Sequence, residues 1–152
     1  YDILPEPLQK IQLDHYPDIH IASTPSDAIQ GADLIVCAVK PQHLTPDFFK
    51  SLEINSSSSS TPSSTTSSPT LLSVMAGTPI SAFTSPSGAP PPPPDAAAAA
   101  FQKVVRTMPN TPSQIGQGMT VWCCTTDTIL IDERNKIDRL LQAFGKSVSF
   151  AF

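Results

Sequence analysis

The residues best suited to chemistry fall in three short stretches, each placed directly after an apolar run: Lys40-Pro41-Gln42, Ala76-Gly77-Thr78-Pro79 and Pro109-Asn110-Thr111-Pro112. Proline after Lys40 holds that residue extended and carries its ammonium outward, where it can meet a phosphate or a ribose hydroxyl. Small residues at 76 and 77 let a planar ligand approach the backbone. A helix starting at Thr78-Pro79 would add N–H groups and positive potential. The prolines around Asn110 and Thr111 stiffen the third turn and hold two polar side chains for orienting a ligand, with Thr111 capping the helix that follows. Each stretch also has a plainer reading: a solvated lysine, a tight turn that needs glycine, and an ordinary capped turn.

No acid–base or metal set accompanies them. His15, His20 and His43 read as surface residues, and Gly116 and Gly118 follow no phosphate-binding turn pattern. There is no G-x-G-x-x-G and no nucleophile elbow. Cys37 lies within an apolar run, and adjacent Cys123 and Cys124 would face opposite sides of a strand, which is no metal-ligand spacing. Three cysteines without a disulfide framework fit a reducing compartment, and a cytoplasmic location is expected. A site whose cofactor carries the reaction would show this lack of acids and bases.

Composition narrows the partners. A net charge of −4 argues against a nucleic-acid surface, which needs clustered Lys and Arg. No apolar run approaches the roughly 20 residues of a membrane span, so no membrane partner is expected. The chain opens on Tyr1-Asp2 rather than methionine, which reads as part of a longer protein.

The elements that must position the three stretches alternate short apolar runs with helical segments, the pattern of a parallel sheet covered by helices. Strands are expected at 19–22, 34–39, 71–75, 104–108, 120–124 and 148–150, with 34–39 continuously apolar as if buried on both faces. Four of these runs precede Thr-Pro pairs, at Thr24, Thr45, Thr78 and Thr111. Threonine caps a helix and proline fits its first position, so each pair marks a helix start. Leu4, Leu8 and Ile11 share a face of an expected helix over 5–16. Ile137, Leu140, Leu141 and Phe144 share a face of another, which Gly145 stops. Both faces are expected to pack on the sheet. Residues 55–70, almost entirely Ser, Thr and Pro, and residues 85–100, running through polyproline into alanine, read as disordered insertions between a helix and the next strand.

At the three turns the chain resembles the pyrroline-5-carboxylate reductase family. The matching stretches are Ala32-Asp33-Leu34-Ile35-Val36-Cys37-Ala38-Val39-Lys40-Pro41-Gln42, Ser73-Val74-Met75-Ala76-Gly77-Thr78-Pro79-Ile80 and Val105-Arg106-Thr107-Met108-Pro109-Asn110-Thr111-Pro112. The last continues through Gly116, Gly118 and Thr120 in the family's order and spacing.

The resemblance implies a Rossmann-like α/β domain, a parallel sheet with helices on both faces. It implies a cofactor, NADPH or in some members NADH. The reaction would be reduction of the C=N bond of 1-pyrroline-5-carboxylate by hydride transfer, giving proline. Ala38, Val39, Lys40 and Pro41 would line the cofactor site, Ala76 and Gly77 would approach the nicotinamide ribose, and Asn110 and Thr111 would lie near the nicotinamide and the imine. No residue of this chain would act as a catalytic acid or base. Pro25 departs from the asparagine many members carry at that helix start. The family's first strand with its glycine-rich turn, and its helical domain that forms the homo-oligomer and completes the substrate site, are expected outside this chain. This fragment is accordingly expected to be inactive alone. Two other readings stand beside this one: a non-catalytic interaction module on the same fold, with the low-complexity tracts as its working parts, and another dehydrogenase of similar fold.

Overall fold

Two of the four Thr-Pro pairs start helices as their chemistry dictates. Thr24 Oγ1 accepts the Asp27 amide at 3.1 Å at the head of α2 (Pro25–Ile29), and Thr45 Oγ1 accepts the Phe48 amide at 3.2 Å at the head of α3 (Pro46–Ser51). The other two do not. Thr78 is buried with its hydroxyl 3.5 Å from the Ala76 carbonyl, and α4 (Ser81–Thr84) begins later, with Ile80 at its cap position. Thr111 opens a 3-10 turn (Thr111–Ile115) whose cap position is held by Asn110. A cap only lowers the cost of starting a helix; an apolar face must be buried for it to continue. Ile115 is 76% exposed, so the segment after Thr111 has nothing to bury.

The computed structural model describes residues 1–2, 5–14, 16–52, 68–85, 101–125 and 128–150. Among them, strands β1 (Leu34–Cys37), β2 (Thr70–Ser73), β3 (Lys103–Met108), β4 (Gly118–Cys124) and β5 (Gly145–Ser149) form one sheet in that order. β1, β2 and β3 are parallel, β4 is antiparallel to β3, and β5 is parallel to β4. The sheet is therefore mixed rather than wholly parallel. A parallel return needs a crossover of roughly a dozen residues or more, usually with a helix. Only a 3-10 turn lies between β3 and β4, whereas α5 (Ile131–Gln142) separates β4 from β5.

Alternate strand residues feed two cores. Leu71 and Val104 face one side with Phe49 of α3 and Phe83 of α4; Leu72 and Val105 face the other with Ile137 and Leu141 of α5. Helices thus cover both faces of the sheet. Leu71 and Leu72 of β2 and Val104 and Val105 of β3 are all buried, so these two strands are enclosed on both sides. β1 is not: it lies at the edge of the sheet, ends at Cys37, and leaves Val36 56% exposed. An unbroken apolar run does not reveal whether its strand is central or marginal.

Several expectations are corrected. Residues 19–22 pair with no strand among the described residues, and Ile19 makes local bonds instead, its amide to Tyr16 O and its carbonyl to Gln12 Nε2. Helix α1 (Pro5–Asp14) forms, but Ile11 is 41% exposed and neither core includes any of its residues. In α5 the expected face splits: Ile137 and Leu141 are buried, while Leu140 and Phe144 are exposed. Gly145 is the first residue of β5 rather than the stop of α5.

The low-complexity insertions lie outside the described residues, apart from their margins. There, Thr70 belongs to β2 and Ser85 is the C-cap of α4. Leu4, the first residue of the expected α1 face, is also outside them. On the sheet face that carries Val104, the surface over β4 and β5 is open, and Met108, Met119, Val121 and Val148 are each more than 40% exposed.

Candidate functional site

Cys37, Ser73 and Arg106 form one row across the adjacent parallel strands β1, β2 and β3. The carboxyl ends of those strands therefore open side by side, where ligands of open α/β sheets bind. The chain leaves them through residues 38–41, 74–79 and 109–112. This brings Ala38, Val39, Lys40 and Pro41, Ala76 and Gly77, and Asn110 and Thr111 to one end of the sheet.

In the first turn Lys40 is exposed and extended, with φ −69° and ψ 144°, as the following proline requires. Its carbonyl accepts the His43 amide at 2.8 Å, which closes a 3-10 turn (Pro41–His43). Val39 is half-buried against the core below, so the turn is anchored by an apolar side chain and presents a cation. Cys37 just before it belongs to the core, with its Sγ 3.6 Å from Met75 Sδ. Burial raises its thiol pKa and so favours the neutral thiol, opposed by a hydrogen bond with the Val39 backbone.

The second turn is fastened on several sides. Ser73, fully buried, accepts the Met75 amide on its hydroxyl at 3.2 Å, and its carbonyl accepts the Thr107 hydroxyl at 3.0 Å. Arg106 Nε donates to the Thr78 carbonyl at 2.8 Å. Between these fixed points Gly77 takes a left-handed φ of 70°, and a Cβ placed there would meet nothing within 4 Å. The space above this turn is open, and Ala76 beside it is exposed. The helix start expected at Thr78-Pro79 is absent, so the dipole expected there is absent too. α4 begins at Ser81 and has 4 residues.

In the third turn Asn110 Oδ1 accepts the Met119 amide at 2.9 Å. That bond fixes the amide's orientation, because an N–H must meet the oxygen. Asn110 thus keeps its Nδ2 donors for another partner. Thr111 is exposed, and no side-chain cap bond forms at the head of this 3-10 turn, so the cap expected of Thr111 is absent, and Asn110 at the cap position bonds β4 instead.

Sequence reasoning missed Ser73, Arg106 and Thr107 as supports of the site. The available signal was polar residues at the carboxyl ends of otherwise apolar strands, where a buried polar group must find a partner. Among the described residues no cluster of His, Cys, Asp or Glu could hold a metal ion. A groove of about 360 Å3 between α5 and the β4–β5 pair, lined by Trp122, Arg134, Asp138 and Ser147 among others, includes none of the three turns. No helix among the described residues is long and apolar enough to cross a membrane.

No protein-family model matches the chain, and a search of curated proteins finds no match. Solved structures do match. A pyrroline-5-carboxylate reductase from Coxiella burnetii superposes with a TM-score of 0.71 at 20% identity, covering 97% of this chain and 46% of that one. The pyrroline carboxylate reductase of Plasmodium falciparum with NADP bound gives 0.61 at 20% identity, covering 86% of this chain and 41% of that one. The 1-pyrroline-5-carboxylate reductase of Streptococcus pyogenes gives 0.67 at 18% identity, covering 96% and 46%. The chain thus has the fold of these reductases, a Rossmann-like α/β sheet, and spans less than half the length of each. The resemblance read from the three turns is matched in the fold.

Proposed function

We propose that this chain is the cofactor-binding part of an NAD(P)H-dependent oxidoreductase that reduces 1-pyrroline-5-carboxylate to proline. The observation that carries the reading is the convergence of three turns, around Val39-Lys40, Ala76-Gly77 and Asn110-Thr111, at the carboxyl ends of three adjacent parallel strands. It is supported by a fold shared with three such reductases, one of them with NADP bound.

The residues present fit a dinucleotide. Open space above Gly77 and the exposed Ala76 leave room for a ribose and a flat ring against the backbone. Lys40 offers a cation for a phosphate or ribose oxygen, and Asn110 offers N–H donors to an acceptor such as a carboxamide or carboxylate oxygen. A bound reduced nicotinamide would supply the hydride. The residues of the chain would orient and hold; the proton that the imine nitrogen takes up along with the hydride would come from solvent or from a group outside this chain. Rigid supports matter for this work, since alignment of reacting atoms is worth several kcal/mol of a barrier, up to about 10.

Calorimetric titration of the chain with NADPH and with NADH tests the reading, and binding of at least one is expected. Binding of neither would sink it. Because the chain spans less than half the length of the reductases it superposes on, no turnover of 1-pyrroline-5-carboxylate is expected from it alone. Homo-oligomer formation is proposed for the complete enzyme.

A further inference from the structure

Arg106 is half-buried in the last row that pairs β1, β2 and β3, and no carboxylate among the described residues forms an ion pair with it. Taking a guanidinium partly out of water without a counter-charge is unfavourable, and a hydrophobic residue would serve the sheet better there. Its one side-chain bond among the described residues runs from Nε to the Thr78 carbonyl, across from β3 to the turn that follows β2. That turn contains Gly77, the residue with the fewest backbone restraints, and open space lies above it. Without a crosslink a glycine turn of this kind samples many shapes.

The helix dipole that the sequence pattern placed at this turn is also missing, since α4 starts only at Ser81. Positive charge at the turn then comes from Arg106.

We propose that Arg106 is a positioning residue: it holds the turn at residues 76–78 in one shape and supplies the charge that favours an anionic ligand over it. In the nicotinamide reading above, on which the ligand half of this inference rests, the ligand is the nucleotide's phosphate-bearing ribose portion. The guanidinium acts through the Thr78 carbonyl and need not touch the reacting atoms.

The test compares the chain with Arg106→Met and Arg106→Lys. In the methionine variant, backbone order parameters of Gly77 and Thr78 should fall from the rigid range near 0.85 to below about 0.6, with Val104 and Val105 unchanged. NADPH affinity should weaken at least about tenfold, equivalent to roughly 1.4 kcal/mol. Lysine keeps the charge and one donor to the carbonyl, so it should recover part of both losses, which a mere packing role would not allow. Unchanged order parameters at Gly77 and Thr78 in both variants would overturn the proposal, as would equal losses in both. If the turn loosens as expected but the unsubstituted chain binds no NADPH, the positioning role stands and the nicotinamide reading falls.

Discussion

Asn110 Oδ1 and the Met119 amide lie 2.9 Å apart, so one side chain of the Met-Pro-Asn-Thr-Pro turn ties the end of β3 to the start of β4. This bond uses the acceptor of Asn110 and leaves its donors, so its structural role and its proposed ligand role can be tested separately. Asn110→Asp keeps the acceptor and removes the donors. Its stability should stay within roughly 0.5 kcal/mol of the parent, while NADPH affinity falls about tenfold or more. Asn110→Ala should lose both, with about 0.5–1.5 kcal/mol of stability gone. Thr111→Ala should change stability by less than about 0.5 kcal/mol, since no cap bond is removed. Urea titrations and calorimetry on the three variants check the set; equal affinity in parent and Asn110→Asp would remove Asn110 from the ligand site.

The bond from the Thr107 hydroxyl to the Ser73 carbonyl joins two fully or nearly fully buried groups. Thr107→Val preserves shape and deletes the donor, leaving that carbonyl without this partner in a dry place. The expected loss is about 1–3 kcal/mol. A variant as stable as the parent would show that water reaches Ser73 O.

Glu133 links α5 to β3. Its Oε1 accepts Lys103 Nζ at 2.6 Å and its Oε2 accepts the Leu130 amide at 2.9 Å, at the head of the helix. The Lys103 hydrogen bond, and after it the Leu130 amide, hold the Glu133 carboxyl below the usual glutamate range. A depressed carboxylate pKa contributes stability that is complete above the unfolded value, near 4.3, and is lost as pH falls through the folded value. Lys103→Met removes the largest cause. At pH 7 it should cost roughly 1–2 kcal/mol, between an exposed ion pair and a buried charged hydrogen bond. The variant should also lose less stability than the parent on acidification below about pH 4.3. Parallel acid limbs in urea unfolding of parent and variant would contradict this role.

Gly145 pairs with Gly118 across β5 and β4, with a left-handed φ of 131°. A Cβ there would fall on the carbonyl oxygen and amide nitrogen of Gly118, and the Gly118 amide itself donates to Phe144 O at 2.9 Å. Neither obstacle is a movable side chain. Gly145→Ala should destabilise by about 2 kcal/mol or more, or detach β5 from the sheet. Thermal unfolding measures the first outcome, and amide exchange at Ser147 and Val148 the second.

What could be read in the sequence followed from local chemistry. Thr24 and Thr45 cap helices because a hydroxyl next to an orphan amide acts within a few residues. Lys40 is extended because the following proline forbids the alternative. Gathering the three turns at one end of the sheet needed only the alternation of strand and helix. What escaped depends on distant neighbours. Val36 is exposed because β1 is the edge, a fact about strand order. The reversal of β4 depends on the shortness of its connection, which neither Gly116 nor Gly118 signals in the sequence. The bond of Arg106 to Thr78 crosses 28 positions of sequence, and no periodicity reports such a pair.

Strands β2 and β3 are entered from the same side of the sheet and left toward the three turns. The two low-complexity tracts join the sheet just ahead of Thr70 and Phe101, on the entry side. Extra residues spliced in there lengthen the approach to a strand but leave its exit, and hence the spacing of Lys40, Gly77 and Asn110, untouched. Two chains differing by ten residues in either tract would present the same arrangement of the three turns. Extra length at one end of this sheet therefore leaves the three turns in place, while at the other a single inserted residue would shift one of them.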